Sequence, residues 1–111
     1  MKKIDVYLLY CNELDSYKIG VSKNVSTRIK QLQTGCPYTI EIRHVFKSAF
    51  PYKVESFLHK ELAHLKVDSE EINLFGEWFK LDYNFSKKFL EKCQKIENNI
   101  QHLVDVGNAF I

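Results

Sequence analysis

The first stretch of the chain, Ile4-Asp5-Val6-Tyr7-Leu8-Leu9-Tyr10-Cys11, is β-branched, aromatic and almost continuously apolar, the pattern of a strand buried on both faces. The polar run Asn12-Glu13-Leu14-Asp15-Ser16 predicts a turn, and Tyr17-Lys18-Ile19-Gly20-Val21 predicts a second short strand. With so few residues between them, an antiparallel hairpin is the simplest connection. Val25, Ile29 and Leu32 then recur at helical spacing, with Asn24 or Ser22 as cap, a last residue near Gln33 and Gly35 as the stop. Residues 39–46 alternate polar and apolar for most of their length, as a half-buried strand does. Pro51 suits a first helical turn, and Val54, Phe57, Leu58, Leu62 and Leu65 carry a helix through about Leu65. A polar loop over 66–75, containing Asp68-Ser69-Glu70-Glu71, leads to a short strand at Gly76-Glu77-Trp78-Phe79-Lys80-Leu81. Phe85, Phe89, Cys93, Ile96, Ile100 and Leu103 mark one long amphipathic final helix, opened by Asp82 or Asn84.

The order β-β-α-β-α-β-α predicts an α+β fold, a small mainly antiparallel sheet of about three strands covered by helices, and not a doubly wound parallel sheet. The division expected is a domain over 1–82 followed by a helix over 83–111. That helix either closes the same core or packs against a second copy of the chain as a homodimer.

Composition narrows the class. A chain of 111 residues, 45% of them hydrophobic, supports one domain and not two. No apolar run approaches the eighteen or so residues needed to cross a bilayer, and Met1-Lys2-Lys3-Ile4-Asp5 lacks the apolar core of a signal peptide. An intracellular protein with no membrane partner is therefore expected. Cys11, Cys36 and Cys93 are odd in number, widely spaced and without a C-x-x-C, which argues against a disulfide framework and a structural zinc site. The net charge of +2 hides a segregation. Residues 1–66 hold eleven Lys and Arg against six Asp and Glu, a local +5, while 67–111 hold five against eight, a local −3. A polyanion has a place to bind only if that segregation becomes a surface.

Five elements occur in order: Val6-Tyr7 followed by Tyr17-Lys18-Ile19-Gly20; Arg28; Gln31-Leu32-Gln33-Thr34-Gly35-Cys36-Pro37; Glu55-x-x-Leu58-His59; and Gly76-Glu77-Trp78-Phe79. Together they resemble the GIY-YIG nuclease superfamily, and within it the short branch found in phages, large DNA viruses, bacteria and fungi. The resemblance covers about residues 4–82. It implies a three-stranded antiparallel sheet flanked by helices and metal-dependent hydrolysis of DNA phosphodiesters. Carried over by position, it implies that Tyr7 and Gly20 stand for the tyrosine and glycine of the two signatures, Arg28 for the catalytic arginine and Glu55 for the metal-binding glutamate. Two departures stand out. Asp5-Val6-Tyr7 replaces the opening glycine and isoleucine, and Lys18 occupies the usual second tyrosine, with Tyr17 one place earlier and facing the other way along a strand. The family's late asparagine has no counterpart in Gly76-Glu77-Trp78-Phe79.

Splitting a phosphodiester needs an activated water, cations on the developing charge and usually a divalent metal. Arg28 offers a planar fork of donors that matches two phosphate oxygens and keeps its charge. Glu55 suits Mg²⁺ or Mn²⁺, hard cations that take few protein ligands and keep several waters. His59, one helical turn on, is placed to position water, hold a phosphate or bind the metal, or else to serve as a hydrogen-bonded structural histidine. Tyr7 is the candidate base, although a phenol with a pKa of about 10 is ionised only about one part in a thousand at neutral pH. Lys18, from the neighbouring strand, is expected either to be the cation beside it, since a charge at about 4 Å contributes ~4 kcal/mol at an effective dielectric of ~20, or to hold the phosphate itself. Tyr17, Lys23 and Lys30 are candidates for contact with the substrate, and Glu77 and Trp78 for the border of the cleft. The competing reading is a catalytically weak domain of the same fold that binds nucleic acid or regulates a partner.

Overall fold

The computed structural model describes residues 3–67 and 77–107. Three strands, β1 (Ile4–Cys11), β2 (Ser16–Ser22) and β3 (Ile40–Ser48), form an antiparallel sheet in the order β2-β1-β3. The central strand is β1, which explains why its sequence is apolar on both sides. Its alternating side chains found two separate cores. Val6 and Leu8 pack with Ile19 of β2, Phe46 of β3 and a layer of helices, while Tyr7, Leu9 and Cys11 pack with Ile40 and a different helix on the other face.

That second helix is α1 (Val25–Gln33), which lays Val25, Ile29 and Leu32 against the Tyr7 face. Both expected caps act at its start. Asn24 accepts a hydrogen bond from the Thr27 amide at 3.1 Å, and Ser22 accepts one from the Asn24 amide at 3.0 Å. Gly35 follows with φ +79°, a conformation that favours glycine. On the opposite face lies α2 (Pro51–Glu61), with Val54 and Leu58 fully buried. Beyond it come α3 (Tyr83–Lys87), capped by Asp82 through the Phe85 amide at 2.7 Å, and α4 (Phe89–Asp105). Phe89, Cys93 and Ile100 of α4 enter the α2-side core, and Glu97 accepts from the Ala49 amide and the Ser48 hydroxyl at the end of β3.

The architecture is the α+β class expected, a three-stranded antiparallel sheet flanked by helices. Several elements differ from the sequence pattern. The expected strand over 76–81 is a pair of single bridges: Phe79 exchanges hydrogen bonds with Tyr17 at 2.7 and 2.8 Å and bridges Lys66 on its other side. Each side pairs at one residue, so no ladder builds, yet the alternation survives, with Trp78 buried toward α1 and Phe79 toward α2. Gly76 and the polar loop with Asp68-Ser69-Glu70-Glu71 lie outside the described residues. The second helix ends at Glu61, and its expected last turn tightens into a 3₁₀ turn over Ala63–Leu65. The long final helix is interrupted at Lys88, whose amide is shared between the Asn84 and Phe85 carbonyls at 3.1 Å each. Its apolar stripe is buried only as far as Ile100; Leu103, Val104 and Val106 are exposed.

The alternation of β3 also breaks. Leu8 pairs with His44 and Leu9 with Ile42, so Arg43 is the extra residue of a β-bulge. This is why Ile40 and Phe46, six residues apart, bury on opposite faces. Cys11, Cys36 and Cys93 are free, and burial pushes the Cys93 thiol up to about 12. Among the described residues no helix is long and apolar enough to cross a membrane.

Candidate active site

Strand alternation brings Tyr7, Lys18 and Gly20 to the face covered by α1. Tyr7 pairs across the ladder with Gly20, and its ring lies over that residue so closely that a Cβ there would fall 2.2 Å from the phenol oxygen. Glycine is required here for room, not for a turn. The phenol is 2% exposed as a whole residue, and burial raises its pKa above the ordinary 10.0. Two charges adjust it. A hydrogen bond and the charge of Arg28 pull it down, and the charge of Glu55 pushes it further up.

Arg28 reaches this phenol from α1 and Glu55 from α2, so opposite layers of the domain supply the two charges. Glu55 is half-buried, accepts no hydrogen bond and makes no ion pair among the described residues. Lys18 is 9% exposed and, among the described residues, equally without a hydrogen bond or ion pair. Burial lowers its pKa, Arg28 lowers it further, and Glu55 and Glu77 draw it back up. Tyr7, Lys18, Arg28 and Glu55 therefore form one electrostatic group. The cation acting on the Tyr7 hydroxyl is Arg28, where the sequence pattern suggested Lys18.

The other candidates separate from it. Tyr17 faces away from Tyr7, buried in the α2-side core with its ring 4.7 Å from that of Tyr10. Lys23 is exposed on the turn before α1, and Lys30 is exposed two residues beyond Arg28, about 200° around the helix. His59 has both ring nitrogens engaged, Nε2 with the Ile19 carbonyl and Nδ1 with a Glu77 carboxylate oxygen, each at 2.9 Å. Both ring nitrogens are therefore occupied by groups of the protein itself. His59 ties α2 to β2 and to the bridge segment.

Glu77 is the residue the sequence underrated. It joins His59 at 2.9 Å to Lys66 at 3.3 Å, and these two bonds, His59 first, hold its carboxyl below the ordinary 4.5. The spacing of eighteen residues from His59 gave no sign of the pairing. Glu77→Ala is expected to destabilise the domain by about 1 kcal/mol, read as a lower urea midpoint. Because the native carboxyl titrates below its unfolded value, this contribution is present above the ordinary carboxylate range and is lost as pH falls through the depressed value. The difference between wild type and variant should therefore shrink in acid.

The domain is thus an α+β fold in which a buried phenol, a guanidinium and an open carboxylate meet on a short antiparallel sheet from different layers. The chain belongs to the T5orf172 domain family, a phage-associated family of nuclease-like fold, whose model matches residues 6–95. No curated protein and no solved structure matches it.

Proposed function

We propose that the chain is a metal-dependent endonuclease of the GIY-YIG type that hydrolyses DNA phosphodiester bonds. The observation that carries this reading is the convergence of Arg28 from α1 and Glu55 from α2 on Tyr7 and Lys18 of the sheet. Two cations held next to each other in a partly desolvated site repel, and an anion between them relieves that repulsion. A phosphate offers the oxygens that the Arg28 fork fits.

A divalent cation fits the donor set. Among the described residues no group of three or more His, Cys, Asp or Glu converges, which disfavours a fully protein-ligated site. Glu55 presents an unoccupied pair of oxygens among the described residues, and Mg²⁺ or Mn²⁺ is commonly held by one or two carboxylates together with substrate phosphate. Bound there, such an ion supplies Lewis-acid stabilisation of charge on the phosphate. The chain's own residues then divide the remaining work. Arg28 and Lys18 hold the phosphate, and Tyr7 removes a proton from the attacking water. Arg28 favours the phenolate that this needs, and Glu55 opposes it less once its charge is neutralised.

The test is a supercoiled plasmid incubated with purified protein and Mg²⁺ or Mn²⁺. Nicked circles are expected with either ion, and none with EDTA or with Glu55→Ala. Nicking that survives EDTA, or that Glu55→Ala retains, sinks the metal-dependent reading. One observation favours a second reading: burial leaves Tyr7 above its ordinary pKa, so the resting phenol keeps its proton. A domain that binds nucleic acid without cutting it would give no nicks and a binding constant that falls steeply with salt.

A further inference from the structure

On the face of the sheet opposite Tyr7, at the hairpin end, the chain encloses a cleft of about 710 Å³. That volume lies in the range of roughly 300–1,000 Å³ typical of small-ligand sites. Tyr10 and Tyr17 come from the hairpin, Arg43 and His44 from β3, and Tyr83 and Lys87 from α3. None of them belongs to the Tyr7 group. Tyr10 lies three residues beyond Tyr7 on β1, about 10 Å along the strand, with its side chain pointing to the other face.

The β-bulge is what aims Arg43 here. Without the extra residue, Arg43 and His44 would fall on opposite faces; with it, both line the cleft. The guanidinium sits 4.5 Å from the centre of the Tyr10 ring and is steadied by Glu41 at 3.2 Å. Tyr10 is fixed in turn, donating its hydroxyl to Asp15 at 2.9 Å and packing on Tyr17. The result is a pre-arranged wall of one guanidinium and two aromatic rings. Across from it, Tyr83 is 75% exposed and Lys87 makes no hydrogen bond or ion pair among the described residues. A large exposed ring beside an uncommitted ammonium is the pairing that stacks a base and holds its phosphate.

Asp15 and Asp82 also line the cleft and set its limit. Asp15 accepts from Tyr10 and Asp82 caps α3, so both are engaged, but their charges offset those of Arg43 and Lys87. A long polyanion tracked through the cleft would meet them. A single nucleotide, with one phosphate and an aromatic base, would not. We infer that this cleft binds one unpaired nucleotide of a single-stranded nucleic acid, its base on Tyr83 and its phosphate between Lys87 and Arg43. The inference needs no catalysis at Tyr7, and it would give the proposed nuclease a second hold on a frayed or displaced strand.

The experiment uses the full chain, EDTA throughout and a fluorescein-labelled ten-nucleotide single strand, with the duplex of the same sequence for comparison. Fluorescence anisotropy should show single-strand binding that weakens about tenfold in Tyr83→Ala and in Lys87→Ala, while Tyr83→Phe retains it and duplex binding is unchanged in all three. Both altered side chains are exposed, and an unchanged melting temperature verifies the fold. The inference is overturned if wild type does not bind the single strand, if the Tyr83→Ala/Lys87→Ala double variant binds it as wild type does, or if strand and duplex weaken equally. A protein that never nicks plasmid but shows Tyr83-dependent strand binding loses the nuclease reading and keeps the cleft. The converse result keeps the nuclease and removes the cleft.

Discussion

Arg28→Ala is expected to slow plasmid nicking by about 10²–10³-fold, the effect of removing one preorganised donor from a developing oxyanion. The fold should not notice. Arg28 is exposed on α1, its guanidinium donates to Gln31 at 3.4 Å, and surface changes of this kind usually stay within about 0.5 kcal/mol. Arg28→Lys should recover little, because an ammonium is a point charge and cannot reach two phosphate oxygens and the Tyr7 hydroxyl in one plane. A variant that nicks at the wild-type rate would remove Arg28 from the site.

The same variant has a signature in pH. If Tyr7 must release a proton, the wild-type rate rises with pH toward the phenol's raised value, above 10.0. Arg28 is the charge that lowers that value, so its loss moves the rising limb to still higher pH. Stability runs the other way. The neutral phenol is favoured in the fold, so its contribution is complete below 10.0 and is lost as pH climbs through the raised folded value. Nicking rates between pH 7 and 10, taken with melting curves carried above pH 10, separate these two effects.

Legibility in the sequence followed the range of the interaction. The apolar run of β1, the caps at Ser22 and Asn24, and the stripes of α1 and α2 are local patterns, and each yields its element. Tyr7, Arg28 and Glu55 were identifiable as a set only through the family resemblance, and the charges of Arg28 and Glu55 do both reach Tyr7. What depends on a non-local partner could not be read. His59 looks available on its helix, but Glu77 and the Ile19 carbonyl close both of its nitrogens. Tyr17 and Lys30, by contrast, follow local rules that were legible: strand parity turns Tyr17 to the face away from Tyr7, and helical periodicity carries Lys30 away from Arg28. The segment around Phe79 has the composition of a strand and lacks a neighbour that pairs with it for more than one residue. The bulge at Arg43 leaves only a faint mark: apolar residues at both Ile40 and Phe46 fit one face, and the structure buries them on two.

Lys18 is the residue where stability and activity should part. Its ammonium is almost buried, beside a guanidinium, with no acceptor of its own among the described residues. Burial first and Arg28 second lower its pKa below 10.5, so the folded chain holds this proton less tightly than the unfolded chain does. By linkage, the charged lysine opposes folding at neutral pH, and stability recovers as pH rises from the lowered value toward 10.5. Lys18→Met keeps the length of the side chain and removes the charge. A gain of about 1 kcal/mol, or about 5 °C in Tm for a domain of this size, is therefore expected. Nicking should fall at least tenfold in the same variant, because the phosphate loses one of its two cations. Such opposed effects are the mark of a group retained for what it binds and not for what it packs against. A destabilised Lys18→Met would mean that the ammonium has a structural acceptor, and a stabilised variant with full activity would mean that the phosphate never meets it.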